Sequence, residues 1–314
     1  MKRVRYKGDT AYHVHKQKWT KLGDRNDPGT WELYRALESK IEAQTAVFSE
    51  VAALWLQWWD KKYQGRRSAV TRKEYGRQVQ PEGRLMKVFG HMTCDEITAV
   101  DLQTYIDKHP APISANREIS LVGQIMKFAI GRGYRKDAGN PATAVVLNEK
   151  GEKREYFTDR AFEEIYAAAP TPVRIAMTIS YLTGLRMSDV LAIRKEHVED
   201  GKLRVQEQKT GNVARFVMSQ GLREAFALSQ NDIGPVVHNQ NGKAYTASGF
   251  KTMWRRAKLK AGYPDQHFHD CRRKHATDRD EKGLNAQLAL GHTSDSMTQR
   301  YINHPLGRVV EPLK

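Results

Sequence analysis

Apolar residues recur at three- and four-residue steps through most of this chain, a period that commits it to helices packed on helices. The clearest stripe is Phe48, Val51, Ala52, Trp55, Leu56 and Trp59, one face of a helix that starts near Thr45. A tryptophan stripe at this spacing reads as a packing face rather than a base-stacking platform. Further helical stretches run over 84–89, 99–106 and 114–131, the last with Ser114 as N-cap and with Gly131 and Gly133 at its end. Asn140-Pro141 marks a turn. Residues 45–147 are therefore expected to form a compact helical domain.

After a charged stretch at 151–154, Thr158-Asp159 caps a helix over 160–169 and Pro172 opens another that runs to Thr183. The period then changes. Leu203 and Val205, then Val213, Phe216 and Val217, flank Lys209-Thr210-Gly211-Asn212, the pattern of a β-hairpin with turn residues at its centre. Helical spacing returns over 222–228, 248–261 and 270–282. The fold class expected is mainly α with a small β-sheet, with a second domain at 154–314.

Composition sets the class of protein. The chain has 314 residues, is 39% hydrophobic, and holds 23 Gly and 11 Pro, which excludes wholesale disorder and collagen-like repeats. Its longest apolar runs, such as 142–147, are far shorter than the ~18 residues that span a bilayer. No apolar segment follows the basic start, so a cytoplasmic protein is expected. Cys94 and Cys271 are too far apart in sequence for a disulfide framework. The informative number is charge: 52 Lys and Arg against 36 Asp and Glu, a formal net of +16, which points to a polyanion and first to nucleic acid.

Residues 1–44 concentrate basic and aromatic side chains, among them Arg3, Arg5, Lys7, Tyr12, Lys18 and Trp19. Tyr12 and Val14, then Trp19, Thr20 and Leu22, surround Lys16-Gln17 as in a short hairpin. A turn-rich break at 23–30 precedes a helix near Trp31. Two readings stay open for this segment, a mobile basic tail and a small DNA-contacting arm.

Four polar clusters in the second domain could carry chemistry. In Thr183-Gly184-Leu185-Arg186-Met187-Ser188-Asp189, Arg186 and Asp189 stand three apart, the spacing of one helical face, so the carboxylate could orient the guanidinium. Lys209 sits at the hairpin tip. His269 and Arg272 share a helical face within His269-Asp270-Cys271-Arg272-Arg273-Lys274-His275. Leu290-Gly291-His292 is followed nine residues later by Tyr301, with Thr293 or Ser294 placed to cap a helix carrying it. Each cluster alone reads as an ion pair, a turn lysine or a solvated face. Zinc at His269, Cys271 and His275 is disfavoured, because structural sites take four ligands and no second pair lies nearby. No Gly-x-x-x-x-Gly-Lys-Ser/Thr motif is present, so an ATP motor is not indicated.

Taken in order, the clusters resemble the tyrosine recombinase family, phage-integrase type. Its members carry an arginine in a Thr-Gly-Leu/Met-Arg stretch, a hairpin lysine, His-x-x-Arg, Leu-Gly-His and then a tyrosine. The resemblance covers 45–305 and includes Asn116-Arg117, Ala129, Gly133 and Asn140-Pro141 in the first domain. It implies a helical core-binding domain plus an α/β catalytic domain that clamp duplex DNA, with a small N-terminal arm. It places the catalytic set on Arg186, Lys209, His269, Arg272, His292 and Tyr301, the last as nucleophile, with Asp189 supporting Arg186 or His292. The departures are small: Asp189 replaces a more usual Glu, Arg273 a second histidine and Cys271 a leucine. None removes a catalytic position.

What the resemblance implies is site-specific recombination at double-stranded DNA attachment sites, by a homotetramer on two duplexes, with room for a directionality factor. No cofactor and no metal are implied. The residue types suit that chemistry. Two guanidiniums can clamp the non-bridging oxygens of a phosphodiester, and a phenol can conserve the bond energy as a phosphotyrosyl ester. Lys209 is the candidate proton donor to the leaving 5′-oxygen. Two alternatives remain open, a type IB topoisomerase and a DNA-binding regulator whose catalytic set is inert.

Overall fold

The computed structural model describes residues 3–64, 69–136, 139–149 and 155–303. The charged stretch at 151–154 lies outside them. The chain divides into two compact units, residues 1–151 and 152–314.

The first unit opens with an antiparallel meander, β1 (Val4–Lys7), β2 (Thr10–His15) and β3 (Lys18–Asp24), in the order β1-β2-β3. The expected hairpin at Lys16-Gln17 is present, and both residues take positive φ (47° and 64°), the backbone of a type I′ turn that matches strand twist. Sequence reading missed β1, because four residues carry too little alternation to declare a strand. Helix α1 (Pro28–Thr45) starts three residues before the expected Trp31, with proline at its first position, where a missing N–H costs nothing. Val4, Ala11 and Leu22 pack with Trp31, Tyr34 and Leu37 into a small core of their own. Beside it His13 is buried and bonds Glu38 at 2.7 Å, and Arg3 reaches the same carboxylate at 2.9 Å.

A larger core follows, built by α2 (Phe48–Lys62), α3 (Ala69–Val79), α4 (Arg84–Phe89), α5 (Ala99–Asp107) and α6 (Pro112–Gly131). Of the tryptophan stripe, Phe48, Val51, Ala52, Trp55 and Trp59 are buried and Leu56 packs at the margin. Thr98 and Asp101 form a reciprocal cap on α5, each side chain accepting from the other's backbone N–H. Ser114 does not cap α6. The helix begins two residues earlier at Pro112, with Ala111 at the cap position, because proline's fixed φ suits the first turn better than a hydroxyl in the second. Asn140 caps the short 3-10 turn Pro141–Ala144 and donates back to the Gly123 carbonyl at 2.8 Å.

The second unit contains α7 (Asp159–Ala168), α8 (Thr171–Thr183) and α9 (Met187–Leu191), then a sheet of β4 (Val198–Glu199), β5 (Lys202–Gln206) and β6 (Val213–Val217). The expected hairpin is β5–β6, with Lys202 opposite Val217 and Gln206 opposite Val213. The two-residue β4 extends it to three strands. Helices α10 (Gln220–Ala227), α11 (Ala247–Lys260), α12 (Asp270–Glu281), α13 (Ala286–Leu290) and α14 (Asp295–Gln299) complete the unit. Its main core runs from Phe157 through Val173, Ile179, Leu203 and Val236 to Phe250 and Cys271. The described residues are thus mainly α with two small sheets. Among the described residues no helix is long and apolar enough to cross a membrane.

Trp55 is 1% exposed and meets Tyr75 edge-on at 5.3 Å in the middle of the first unit's core. Trp55→Ala is expected to lower the stability of that unit by about 3–5 kcal/mol, the cost of a large core cavity. Urea titration with separate probes in each unit checks this, and the second unit's transition should not move.

Candidate active site

The polar clusters are brought together at one end of the second unit. α12 is the organising element, and it is unusual. Its sequence, Asp-Cys-Arg-Arg-Lys-His-Ala-Thr-Asp-Arg-Asp-Glu, reads as a solvated face, yet Asp270, Cys271, Arg272, Lys274, His275, Ala276 and Thr277 are all buried. Such a helix survives only if its buried polar groups find partners. Asp270 accepts the His267 N–H at 2.6 Å. Lys274 pairs with Asp278 at 3.0 Å and donates to Tyr156, whose hydroxyl also donates to Asp278. His275 donates through Nδ1 to the Tyr181 carbonyl at 2.6 Å.

Arg272 is 1% exposed and makes the densest set of bonds. Nη1 donates to the Gly184 carbonyl, and Nη2 to the Leu290 carbonyl at 2.8 Å and to His292 Nε2 at 3.1 Å. Its Nε–H is buried and has no acceptor. Both carbonyls sit where a helix ends on a left-handed glycine, α8 at Gly184 (φ +71°) and α13 at Gly291 (φ +62°). At Gly184 a Cβ would stand 2.8 Å from the His275 ring and 3.0 Å from Leu290, so the Thr-Gly-Leu-Arg glycine is required twice over. Burial first, and then the charge of Arg186, lowers the Arg272 pKa to about 10, while Tyr301 and Glu207 act in the opposite sense.

A guanidinium only donates, so His292 Nε2 is the acceptor and Nδ1 carries the ring hydrogen, which points at Thr298 Oγ1 3.1 Å away. Burial, followed by Arg272 and Arg186, pulls the His292 pKa down to about 4. Tyr301 lies just beyond α14 rather than on it, held by its N–H to the Thr298 carbonyl at 2.8 Å. Ser294 stands at the N-cap position of α14, but its hydroxyl pairs with Ser296 instead of capping. The Tyr301 ring is surrounded by Arg272, with the guanidinium carbon 5.6 Å from the ring centroid, and by His292 (4.9 Å) and His269 (5.3 Å). His269 Nε2 is 3.2 Å from the Tyr301 hydroxyl.

Arg186 precedes α9 rather than lying within it, at the helix's N-cap position, and its side chain is 16% exposed. Asp189 is therefore not its main partner. The Asp189 carboxylate is 3.9 Å from Arg186 and spends its other oxygen on the Gln208 backbone N–H at 2.9 Å, anchoring the hairpin; no bond joins it to His292. The closer partner is Glu207, which sequence reading did not single out: its Oε2 meets Arg186 Nη1 at 2.5 Å. A signal for it exists. Strand alternation puts Glu207 on the same face as the buried Leu203 and Val205, and a carboxylate on a buried face needs a cation. Lys209 is exposed at the hairpin tip, near enough for its charge to act on His292. The three residues weighed for zinc diverge: His269 faces Tyr301, Cys271 enters the apolar core and His275 turns to Tyr181.

Two arginines, two histidines and a tyrosine thus gather at the end of a mainly helical second unit, with a lysine on an adjoining hairpin. Residues 155–306, just under half of the chain, match the model of the phage integrase family. The shufflon-specific DNA recombinase of Escherichia coli is 27% identical over 244 residues, 70% of this chain and 61% of that protein. The integrase of Escherichia phage HK022 is 29% identical over 236 residues, 68% of this chain and 64% of that one. The chain thus spans less than two thirds of the length of these relatives. Among solved structures, a lambda integrase tetramer bound to a Holliday junction matches all of this chain (100%) and 98% of its own, with a TM-score of 0.69 at 19% identity. The Tn1549 transposon integrase in complex with circular intermediate DNA matches 82% of this chain and 95% of its own, with a TM-score of 0.66 at 16% identity. At these identities the likeness establishes the fold.

Burial lowers the pKa of His275, like that of His292, to about 4 from an ordinary 6.5. The unfolded chain then binds protons that the folded site refuses, so stability is full above pH 6.5 and falls as pH drops from 6.5 toward 4. Denaturation midpoints of the second unit measured at several pH values should show this decline. His292→Gln should make it shallower.

Proposed function

We propose that the chain is a site-specific DNA recombinase that cuts and rejoins duplex DNA through a 3′-phosphotyrosyl intermediate. One observation carries this reading: the Tyr301 ring packs against the buried Arg272 guanidinium, whose Nε–H has no acceptor, and its hydroxyl is 3.2 Å from a histidine nitrogen. The relatives' names, integrase and shufflon-specific DNA recombinase, support it, as does the formal charge of +16.

A phosphodiester entering the site meets Arg186 and the open Nε–H of Arg272 at its non-bridging oxygens, which gain charge as phosphorus becomes five-coordinate. Tyr301 attacks phosphorus through its hydroxyl oxygen, and His269 Nε2 is placed to take the phenolic proton. The bond to the 5′-oxygen breaks, and Lys209 supplies the proton that oxygen needs. The 5′-hydroxyl of a partner strand then attacks the phosphotyrosyl ester and frees Tyr301. One phosphoester bond is exchanged for another at each step, so no nucleotide is consumed, and the two guanidiniums supply the stabilising positive charge.

Strand exchange between two duplexes needs four such sites, hence a homotetramer, the state in which lambda integrase was solved on a Holliday junction. The first unit is assigned duplex binding, with 45–147 on the core site and 1–44 as a DNA-contacting arm. In that arm the meander places Lys7 over Trp19 with its ammonium 5.1 Å from the ring centroid. The protein works in the cytoplasm of a bacterial host. A directionality factor fits this scheme as a further partner.

Duplexes tiled from the DNA flanking the chain's own gene, nicked near each candidate cleavage point, provide the test. Wild type should form a covalent protein–DNA adduct stable to detergent. Tyr301→Phe should abolish it while leaving duplex affinity within a few-fold, and an adduct that persists in this variant overturns the assignment. A single-duplex plasmid relaxed as readily as two sites recombine would instead favour the topoisomerase reading.

Lys209→Ala should slow cleavage by roughly 10²–10⁴, the range for one general acid. Replacing the 5′-bridging oxygen with sulfur, a leaving group that needs no proton, should restore Lys209→Ala and leave Arg186→Ala impaired. Equal rescue of both variants, or of neither, removes Lys209 from the role.

A further inference from the structure

Among the described residues Glu207 is the acidic side chain nearest to Arg186, and no step above uses it. Its side chain is 5% exposed, and Oε2 bonds Arg186 Nη1 at 2.5 Å while accepting the Thr210 hydroxyl at 2.9 Å. Its backbone is fixed in the neck of the hairpin: the N–H donates to the Asn212 carbonyl and the carbonyl accepts from Gly211, each at 2.8 Å. Space for the carboxylate is provided by Gly291, where an added Cβ would stand 3.1 Å from Glu207 Oε1. Three elements thus converge on this carboxylate.

A carboxylate so near two guanidiniums could repel an incoming phosphate or could aim one of them at it. The bonding pattern decides. Glu207 engages Arg186 through Nη1 alone, and among the described residues neither Nε nor Nη2 has a hydrogen-bond partner. The Nε–Nη2 edge, the one that grips two phosphate oxygens side by side, is left open. A free arginine side chain samples many rotamers, and a fixed acceptor on the far nitrogen removes part of that ordering cost before the phosphate arrives.

We infer that Glu207 is a positioning residue that holds Arg186 by Nη1 so that its opposite edge faces the scissile phosphate. The assignment rests on the recombinase reading for its effect on cleavage, but the hold on Arg186 is a property of the DNA-free protein. Asp189, at 3.9 Å from Arg186 and bonded to the hairpin backbone, does not duplicate it.

The test has two independent arms on the full chain. In the DNA-free protein, ¹⁵N spectroscopy of arginine guanidinium groups reads whether rotation about the Cζ–Nη bonds of Arg186 is restricted, the resonance being identified by its loss in Arg186→Lys. The Nη signals should be split in wild type and in Glu207→Gln, which keeps the acceptor oxygen, and should coalesce in Glu207→Ala. In cleavage, Glu207→Ala should lose about 10- to 100-fold, as outer carboxylates that orient metal ligands do, and Glu207→Gln should retain most of the rate. A methylphosphonate at the scissile position carries one charged oxygen fewer and asks less of Arg186, so there the deficit of Glu207→Ala should shrink. With sulfur at the 5′-bridge it should persist.

Coalesced signals in wild type, a Glu207→Ala variant that cleaves as fast as wild type or faster, or a deficit removed by sulfur alone would overturn the inference. The last outcome would mean that Glu207 serves Lys209. A wild type that forms no adduct on any duplex overturns the recombinase reading, and the spectroscopic arm still decides Glu207.

Discussion

A single buried charge sets the terms for the second unit. Among the described residues no carboxylate is in direct contact with Arg272, yet it stays cationic because it is held by two backbone carbonyls and one imidazole nitrogen. Each acceptor belongs to a different part of the chain: the end of α8, the end of α13 and the loop beyond it. Losing one would leave a buried donor unmatched at a cost of about 1–3 kcal/mol or more, so the three segments are fixed relative to one another. The carbonyls are available because α8 and α13 both stop on glycines in the left-handed region, which leaves their last C=O groups without helical partners. The acceptors are neutral, and that matters for chemistry. A carboxylate in their place would cancel the positive charge that a phosphoryl group is to meet.

The same economy explains α12. Ordinarily a helix so polar lies on the surface, but here one turn after another hands its polar groups to a specific acceptor: Arg272 to carbonyls, Lys274 to Asp278 and Tyr156, His275 to Tyr181. Buried polar networks of this kind fix geometry more than they add stability. The benefit is placement. His269 at the head of α12 and Tyr301, whose neighbour Asn303 donates to Thr277 Oγ1 at 3.0 Å, are both referenced to one rigid element.

Much of this was legible in the sequence, and what was not has physical causes. The α2 stripe was readable because large apolar side chains at a 3.6-residue period have no other economical use. The β5–β6 hairpin was readable because Leu203 and Val205 alternate before a turn rich in Gly and Asn. Strands β1 and β4 escaped because four and two residues are too short to show a period. The start of α6 was misplaced because proline at the first turn outweighs a serine two residues on. Of the site, six side chains were named from their order along the chain. The spacing of Arg186 and Asp189 was misread as a shared helical face, since α9 starts only after Arg186. Glu207 was overlooked because a glutamate beside a turn looks solvated until its register with Leu203 and Val205 is counted.

The division of the chain into two units, each closing its own core, bears on how such a protein changes over generations. All the residues gathered around Tyr301 fall between 186 and 301, inside one unit. Mutational drift in the helical bundle or in the amino-terminal meander can therefore proceed without disturbing the arginine clamp. Selection for a new genomic address and selection for chemistry act on different cores, and a lineage can alter the first many times while inheriting the second intact.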